Sequence, residues 1–366
     1  MNSTEACIAL NMLPTIGPVR VRRLLQVFGS PESILGAKRD QLRSIEGIGP
    51  EVAQQITTWE SLVDLPAELQ RIREVGVEVI TAESAHYPKP LREIHAPPIV
   101  LYVWGELSER DHHAIGIIGS RRTTHYGTEA AKKLAYQLAY AGLTVISGLA
   151  RGIDTAAHQG ALASKGRTIA VIGSGLAKLY PPENAGLAEK IRNGNGAIVS
   201  EFSMEIEPDR QTFPMRNRII SGWSQGILVV EAGLNSGALI TASQAIEQGR
   251  SVYAVPGHIN APSAMGSNRL IQQGAKLVMD ASDILDDLQI LLPETKIVPT
   301  LAGRPLPELS ESERSVYDAI DSSETRIDTI ATKCNLPTAA VSSTLLRLEL
   351  KRLVKQLPGN YFVKLA

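Results

Sequence analysis

The chain has 366 residues, too many for one ordinary domain, so two or three are expected. A 43% hydrophobic content supports packed cores, and a net charge of −1 excludes a protein coated in basic residues. Two well-separated cysteines with no metal spacing, no apolar run of membrane-spanning length and no signal-peptide pattern at the amino terminus lead to one expectation: a cytoplasmic protein with no membrane association, metal or cofactor.

In chain order, residues 1–80 carry an internal repeat. Leu13-Pro14-Thr15-Ile16-Gly17-Pro18 recurs as Ile45-Glu46-Gly47-Ile48-Gly49-Pro50, and each copy precedes an apolar-periodic helix, Val19–Phe28 and Glu51–Trp59. Between them, Ser30-Pro31-Glu32 is a helix start, a cap followed by proline at the first position. The pattern is that of two helix-hairpin-helix units, and hairpin N–H groups at a helix start can hold a phosphate. Thr15 stands where a glycine is usual and the segment is net acidic, which favours a packing module.

Residues 81–288 alternate strand-like apolar runs with helical patterns, which implies a parallel sheet covered on both faces. Three runs end in glycine-rich, polar turns. Ala114–Ile118 leads into Gly119-Ser120-Arg121-Arg122. Leu143–Ile146 leads into Ser147-Gly148-Leu149-Ala150-Arg151-Gly152-Ile153-Asp154. Gly226–Val230 leads into Glu231-Ala232-Gly233-Leu234-Asn235-Ser236-Gly237-Ala238. Ligands of such sheets bind at the carboxyl ends of the strands, where glycine lets backbone N–H groups approach phosphate oxygens. The segment Phe213-Pro214-Met215-Arg216-Asn217-Arg218-Ile219-Ile220 sets two arginines beside an apolar stretch that should be buried. Arginine suits planar, bidentate capture of phosphate and cannot escape burial by losing its proton. The plainer reading is a structural ion pair with Glu201 or Glu231.

From Pro293 to Pro307 the pattern becomes proline-punctuated, and 289–309 reads as a linker. Ser310-Glu311-Ser312-Glu313 then forms a capping box. Helical patterns at Arg326–Lys333 and Pro337–Lys351 follow. Strands at Val354–Leu357 and Tyr361–Leu365 around Pro358-Gly359-Asn360 complete a winged-helix domain over 310–366. Its third helix offers Arg347, Lys351 and Arg352, with Lys355 beyond, to a major groove. Leu345, Leu346, Leu348, Leu350 and Leu353 suit a protein partner equally well.

The three turns, Asp154 through His158, Phe213-Pro214 with Arg216-Asn217-Arg218, Ser236-Gly237 with Thr241-Ala242, Ala254-Val255-Pro256-Gly257 and Gly266-Ser267-Asn268-Arg269 occur in an order that resembles the DprA/Smf family. The resemblance covers roughly residues 85–285, and both flanks fit it. It implies an α/β fold: an extended Rossmann-like parallel sheet core over 81–288, an amino-terminal helical helix-hairpin-helix domain and a carboxy-terminal winged helix. It also implies a homodimer that binds single-stranded DNA, protects incoming DNA during transformation and helps load a RecA-type recombinase. No catalytic residue is expected.

The residues and the resemblance together give the expected DNA-binding set. It comprises Gly119, Ser120, Arg121 and Arg122; Ser147, Gly148 and Arg151; Arg210, Phe213, Arg216, Asn217 and Arg218; and Ser236, Gly237 and Thr241. Arg121 is expected to be the main phosphate ligand, held by Gly119 and the Ser120 hydroxyl. On an extended backbone Arg216 and Arg218 would share one face, one gripping phosphate and the other bracing Glu231. No segment is broadly basic, so affinity for phosphates would come from this focused patch.

Enzyme readings fit less well. Gly173-Ser174-Gly175-Leu176-Ala177-Lys178 opens like a dinucleotide fingerprint but ends in Lys178. His158 reads as a structural residue and Asp154 as a first-turn residue complementing a helix dipole. The alternative is a nucleotide-binding hydrolase similar to the nucleoside monophosphate phosphoribohydrolases, in which the loop after Glu231 would hold phosphate.

Overall fold

A computed structural model describes residues 1–194, 196–288, 309–320, 325–351, 353–357 and 361–364. The described residues divide into two units, one before residue 289 and one from residue 309. The segment read as a linker lies outside the described residues, as do Arg352 and the turn Pro358-Gly359-Asn360.

The larger unit is built on nine strands: β1 (Glu78–Thr81), β2 (Val100–Gly105), β3 (Ala114–Ile118), β4 (Thr144–Ser147), β5 (Thr168–Val171), β6 (Gly196–Ser200), β7 (Gly226–Val229), β8 (Ser251–Ala254) and β9 (Lys276–Leu277). Their order across the sheet is β1-β2-β6-β5-β4-β3-β7-β8-β9. The seven strands from β6 to β9 in that order run parallel, while β2 pairs antiparallel with β6 and β1 antiparallel with β2. The parallel core is the extended Rossmann-like sheet expected, with an antiparallel margin.

Strands β3 to β7 are buried along their length, as their content of Ile, Val, Leu and Ala, with a few Gly, Ser and Thr, allows. One face packs under helices His125–Tyr140, Ile153–Ala163 and Ser282–Asp287, through Leu134, Leu138, Ile153 and Ile284. The other packs under Thr212–Trp223, Gly237–Glu247 and Met265–Gln272, through Ile219, Trp223, Ala242 and Leu270. Each fully buried Ile or Leu contributes about 1.5–3 kcal/mol relative to exposure. The direction of winding reverses at β3: β4, β5 and β6 step away on one side, and β7, β8 and β9 on the other. Doubly wound sheets place their ligand crevice at such a switch point, beyond the carboxyl ends.

The amino-terminal helices pack Ile8, Leu10, Leu24, Ile34, Leu42 and Ile56 into one core that continues into Tyr102, Ile172 and Met204 of the sheet region. Pro18–Phe28 and Pro50–Thr57 are the repeat helices, each opening on proline, and Ser30 caps the helix Pro31–Leu35 as its sequence requires. Arg20 donates to the carbonyls of Thr15 and Gly47 at 2.6 and 3.2 Å, and Arg23 to Glu46 at 3.2 Å. These cations tie one hairpin to the other.

The smaller unit holds helices Glu311–Asp318, Ile327–Cys334 and Thr338–Leu350 with strands β10 (Thr325–Arg326), β11 (Val354–Leu357) and β12 (Tyr361–Lys364) in the order β10-β12-β11. It is a winged helix, opened by the Ser310/Glu313 capping box. Leu345 and Leu348 are buried in its core, so they do not crowd the outer face of the third helix. That face shows Ser342, Ser343 and Arg347.

Candidate nucleic-acid interface

The turn after β3 is fixed by close packing. A Cβ on Gly119 would stand 2.6 Å from the Ile153 side chain and 2.8 Å from the Glu231 carbonyl, so glycine alone lets the turn lie against both neighbours. Ser120 N–H donates to that carbonyl at 2.7 Å, and the Ser120 carbonyl accepts from Ile153 N–H at 3.2 Å. The Ser120 hydroxyl accepts from Arg122 N–H at 3.1 Å and donates to the Arg122 carbonyl at 2.9 Å. It therefore shapes the backbone and does not hold the Arg121 side chain, contrary to the expectation. Arg121 is steadied from across the groove by Phe213, its guanidinium carbon 4.9 Å from the ring centroid. Arg121 and Arg122 both project into solvent.

The second wall is the helix Thr212–Trp223. The expected extended backbone is not there: Pro214 sits in the first helical turn, where its missing N–H costs nothing, and the helix runs on through both arginines. Helical pitch puts Phe213, Arg216, Asn217 and Ile220 along the groove and turns Arg218 away from it. Arg218 instead pairs with the buried Glu201 carboxylate, the plainer ion-pair reading of this segment.

Arg216 faces the groove floor but is 4% exposed. Its Nη1 donates to the carbonyls of Gly148, at 2.7 Å, and Val171, clamping the ends of β4 and β5, while Nε donates to Asn217 Oδ1 at 3.1 Å. A Cβ on Gly148 would stand 2.7 Å from the Arg216 guanidinium carbon, so that glycine makes room for the clamp. Burial pulls the Arg216 pKa down to about 10, Asp154 opposes the drop and Arg121 adds to it. Asp154 accepts from Gly148 and Ala150 N–H groups at 3.0 and 3.4 Å. Burial raises its carboxyl above the ordinary value, against the pull of Arg216, the two N–H groups and Arg121. His158 lies beneath, its Nδ1 2.7 Å from Thr168 Oγ1, and burial with Arg216 nearby lowers its pKa to about 3.

Ser147 does not reach the groove: it is buried and donates to the Ile117 carbonyl at 2.6 Å. Arg151 pairs with Glu183 at 2.6 Å and borders a smaller recess beside the groove, together with Gly148, Gly173, Tyr180 and Phe213. Tyr180 is the residue that sequence reading missed. Its ring centroid is 6.2 Å from that of Phe213, and the Arg151 guanidinium carbon is 5.8 Å from it. The only signal near it was the Gly173-Ser174-Gly175 turn at the end of β5.

The third wall follows β7. Ser236 caps the helix Gly237–Glu247, accepting from Ala238 N–H at 3.3 Å, and the helix N-terminus borders the groove. Thr241 lines the groove but is almost fully buried. Glu231 is buried behind this wall, accepting from Thr123 Oγ1 at 2.7 Å and from Thr124 N–H and Oγ1 at 2.9 and 3.2 Å. Burial works against its charge, yet hydrogen bonds from Ser263, Thr123 and Thr124 hold the carboxyl below its usual range. It is a brace between two turns, spent on internal donors.

The result is a groove of about 940 Å³ at the β3/β7 switch point, bringing together Gly119, Ser120, Arg121, Arg122, Arg210, Phe213, Arg216, Asn217, Ser236, Gly237 and Thr241. Arg121, Arg122 and Arg210 are exposed at its rim, and none has an acidic partner among the described residues. Chemically this is a row of free guanidinium groups beside an aromatic face and a helix N-terminus, suited to anionic groups carried on a chain of planar bases.

Three family models match. DNA recombination-mediator protein A matches residues 78–289, the DprA winged helix domain residues 300–360, and the SAM-like helix-hairpin-helix tandem residues 8–58. The protein Smf of Synechocystis is 34% identical over 391 residues, covering 98% of each chain. The crystal structure of DNA processing protein A from Streptococcus pneumoniae superposes with a TM-score of 0.70 at 33% identity, covering 78% of this chain and 99% of that one. The Helicobacter pylori DNA processing protein A, solved for its single-stranded DNA binding mode, superposes with a TM-score of 0.52 at 29% identity, covering 58% of this chain and 96% of that one.

Proposed function

The chain belongs to the DprA/Smf family of DNA processing proteins, and from that premise we propose that it binds single-stranded DNA along the β3/β7 groove, as a homodimer, and delivers the strand to a RecA-type recombinase. The observation that carries this is the row formed by Arg121, Arg122 and Arg210, exposed and without acidic partners among the described residues, with Arg121 over Phe213. Guanidinium groups left unpaired beside a crevice suit phosphates, and aromatic faces suit bases of any identity. Contacts with the backbone position a strand without reading its sequence, so binding should be general. The ligand of the Helicobacter pylori relative supports the choice of single strand. Two copies on one strand would add contacts and avidity wherever both can engage at once.

Protection of the incoming strand and its handover form the second half of the proposal. The test is recombinase filament growth on a strand precoated with single-strand-binding protein, with and without this protein. Faster nucleation with the parent but not with Arg121→Ala supports the proposal. Equal nucleation with and without the protein contradicts the loading role.

A further inference from the structure

Arg210 stands on the segment that leaves β6 at Ser200 and enters the groove helix at Thr212, a stretch with no regular structure of its own. Such a segment holds a cation in place only if something else holds the segment. On one side it is laced to the turn after β5: Gly175 N–H donates to the Ile206 carbonyl at 2.8 Å, Ala177 N–H to the Met204 carbonyl at 3.0 Å, and Thr212 Oγ1 to the Gly173 carbonyl at 2.5 Å.

On its other side the amino-terminal helices grip it. Glu68, on the helix Leu65–Val75, is 1% exposed, and its Oε1 accepts from Met204 N–H at 2.8 Å. Met204 is itself fully buried in the core shared by the amino-terminal helices and the sheet. Asn11 Nδ2 donates to the Glu201 carbonyl at 2.8 Å, at the segment's start, and Arg71 lies 3.8 Å from Glu205. A buried carboxyl accepting a single backbone N–H from a loop is a specific fastening, because that N–H has no water to turn to once the acceptor is gone.

We infer that the amino-terminal helical module serves as a buttress for the DNA groove, with Glu68 a positioning residue that sets Arg210 at its rim through Met204. The inference rests on the reading of the groove as a phosphate site. It gives the module a task that its hairpins do not need to touch DNA to perform.

A double-mutant cycle tests it, read as affinity for a labelled oligothymidylate over a salt series, on full-length protein shown to be folded by thermal unfolding. Glu68→Ala is expected to reproduce the loss caused by Arg210→Ala and to flatten the salt slope by about one unit. The double variant should then bind no more weakly than Arg210→Ala alone. Glu68→Gln, which keeps the acceptor, should bind like the parent. If Glu68→Ala does not fold, Asn11→Ala takes its place in the same cycle, with the same coupling to Arg210→Ala expected. Parent-like binding by the module variant, or losses that multiply with that of Arg210→Ala, would overturn the inference while leaving the groove intact. An Arg210→Ala protein that binds like the parent would instead strike Arg210 from the site and this inference with it.

Discussion

The guanidinium of Arg121 lies over the ring of Phe213, 4.9 Å from its centroid, so a cation from the turn after β3 rests on an aromatic from the facing helix. The pair lines both the groove and the recess beside it, and sets a phosphate-seeking group beside a base-stacking face. Its attraction is worth about 0.5–1 kcal/mol at an exposed site, enough to orient Arg121 without immobilising it.

Arg121→Ala should weaken binding to every single-stranded sequence by a similar factor and flatten the salt slope by about one unit. Arg121 is exposed and has no acidic partner among the described residues, so its loss should change stability by no more than about 1 kcal/mol, the worth of its contact with Phe213. Anisotropy titrations on oligothymidylate and on a mixed sequence, with a urea melt beside them, check both halves.

Arg216 should behave in the opposite way. Its side chain is internal, holding the Gly148 and Val171 carbonyls above the Asp154 carboxyl. Arg216→Met leaves Asp154 buried without its cation and should cost about 3–5 kcal/mol. Urea denaturation reads that loss, and DNA affinity should fall only in proportion to the unfolded fraction.

Gly237 is the position where a side chain can be added without disturbing the fold, since a Cβ there meets nothing within 4 Å. Gly237→Val should therefore melt within a few degrees of the parent. It should still bind single strands less well, because the added methyl groups stand where a backbone must approach the helix N-terminus. Parent-like affinity would remove the third wall from the site.

His158 gives the larger unit a pH dependence of known sign. Its folded pKa, about 3, lies below the unfolded value of 6.5, so below pH 6.5 the unfolded chain takes up a proton that the folded one refuses. The stability this group contributes is complete above pH 6.5 and is lost as pH falls towards 3, at up to about 1.4 kcal/mol per pH unit. Urea melts between pH 7 and 4 should show a shallower slope for His158→Gln than for the parent, by about one proton.

The strands and turns of the groove were legible because each apolar run stops at glycine and polar residues within a residue or so of the observed strand end. The winged helix was legible from its capping box and its periodicity. Arg216 and Arg218 lie elsewhere than expected because Arg-x-Arg after a proline reads as extended chain, whereas proline in a first helical turn is equally compatible with helix. Ser147 reads as a turn residue although it is the last buried residue of β4. Tyr180 had no pattern to announce it: it joins Phe213 only where the loop after β5 meets the helix that follows β6. The fastening of Met204 by Glu68 is likewise a tertiary contact, and no local spacing encodes it.

The most direct test of the central claim is the affinity for an oligothymidylate and for a duplex of equal length, measured across a salt series at one pH. Binding through backbone phosphates at a groove with an aromatic rim predicts tighter binding to the single strand at every salt concentration, and a log–log slope that Arg121→Ala reduces by about one unit. Equal affinity for the two at moderate salt, or a slope that Arg121→Ala leaves unchanged, would contradict it.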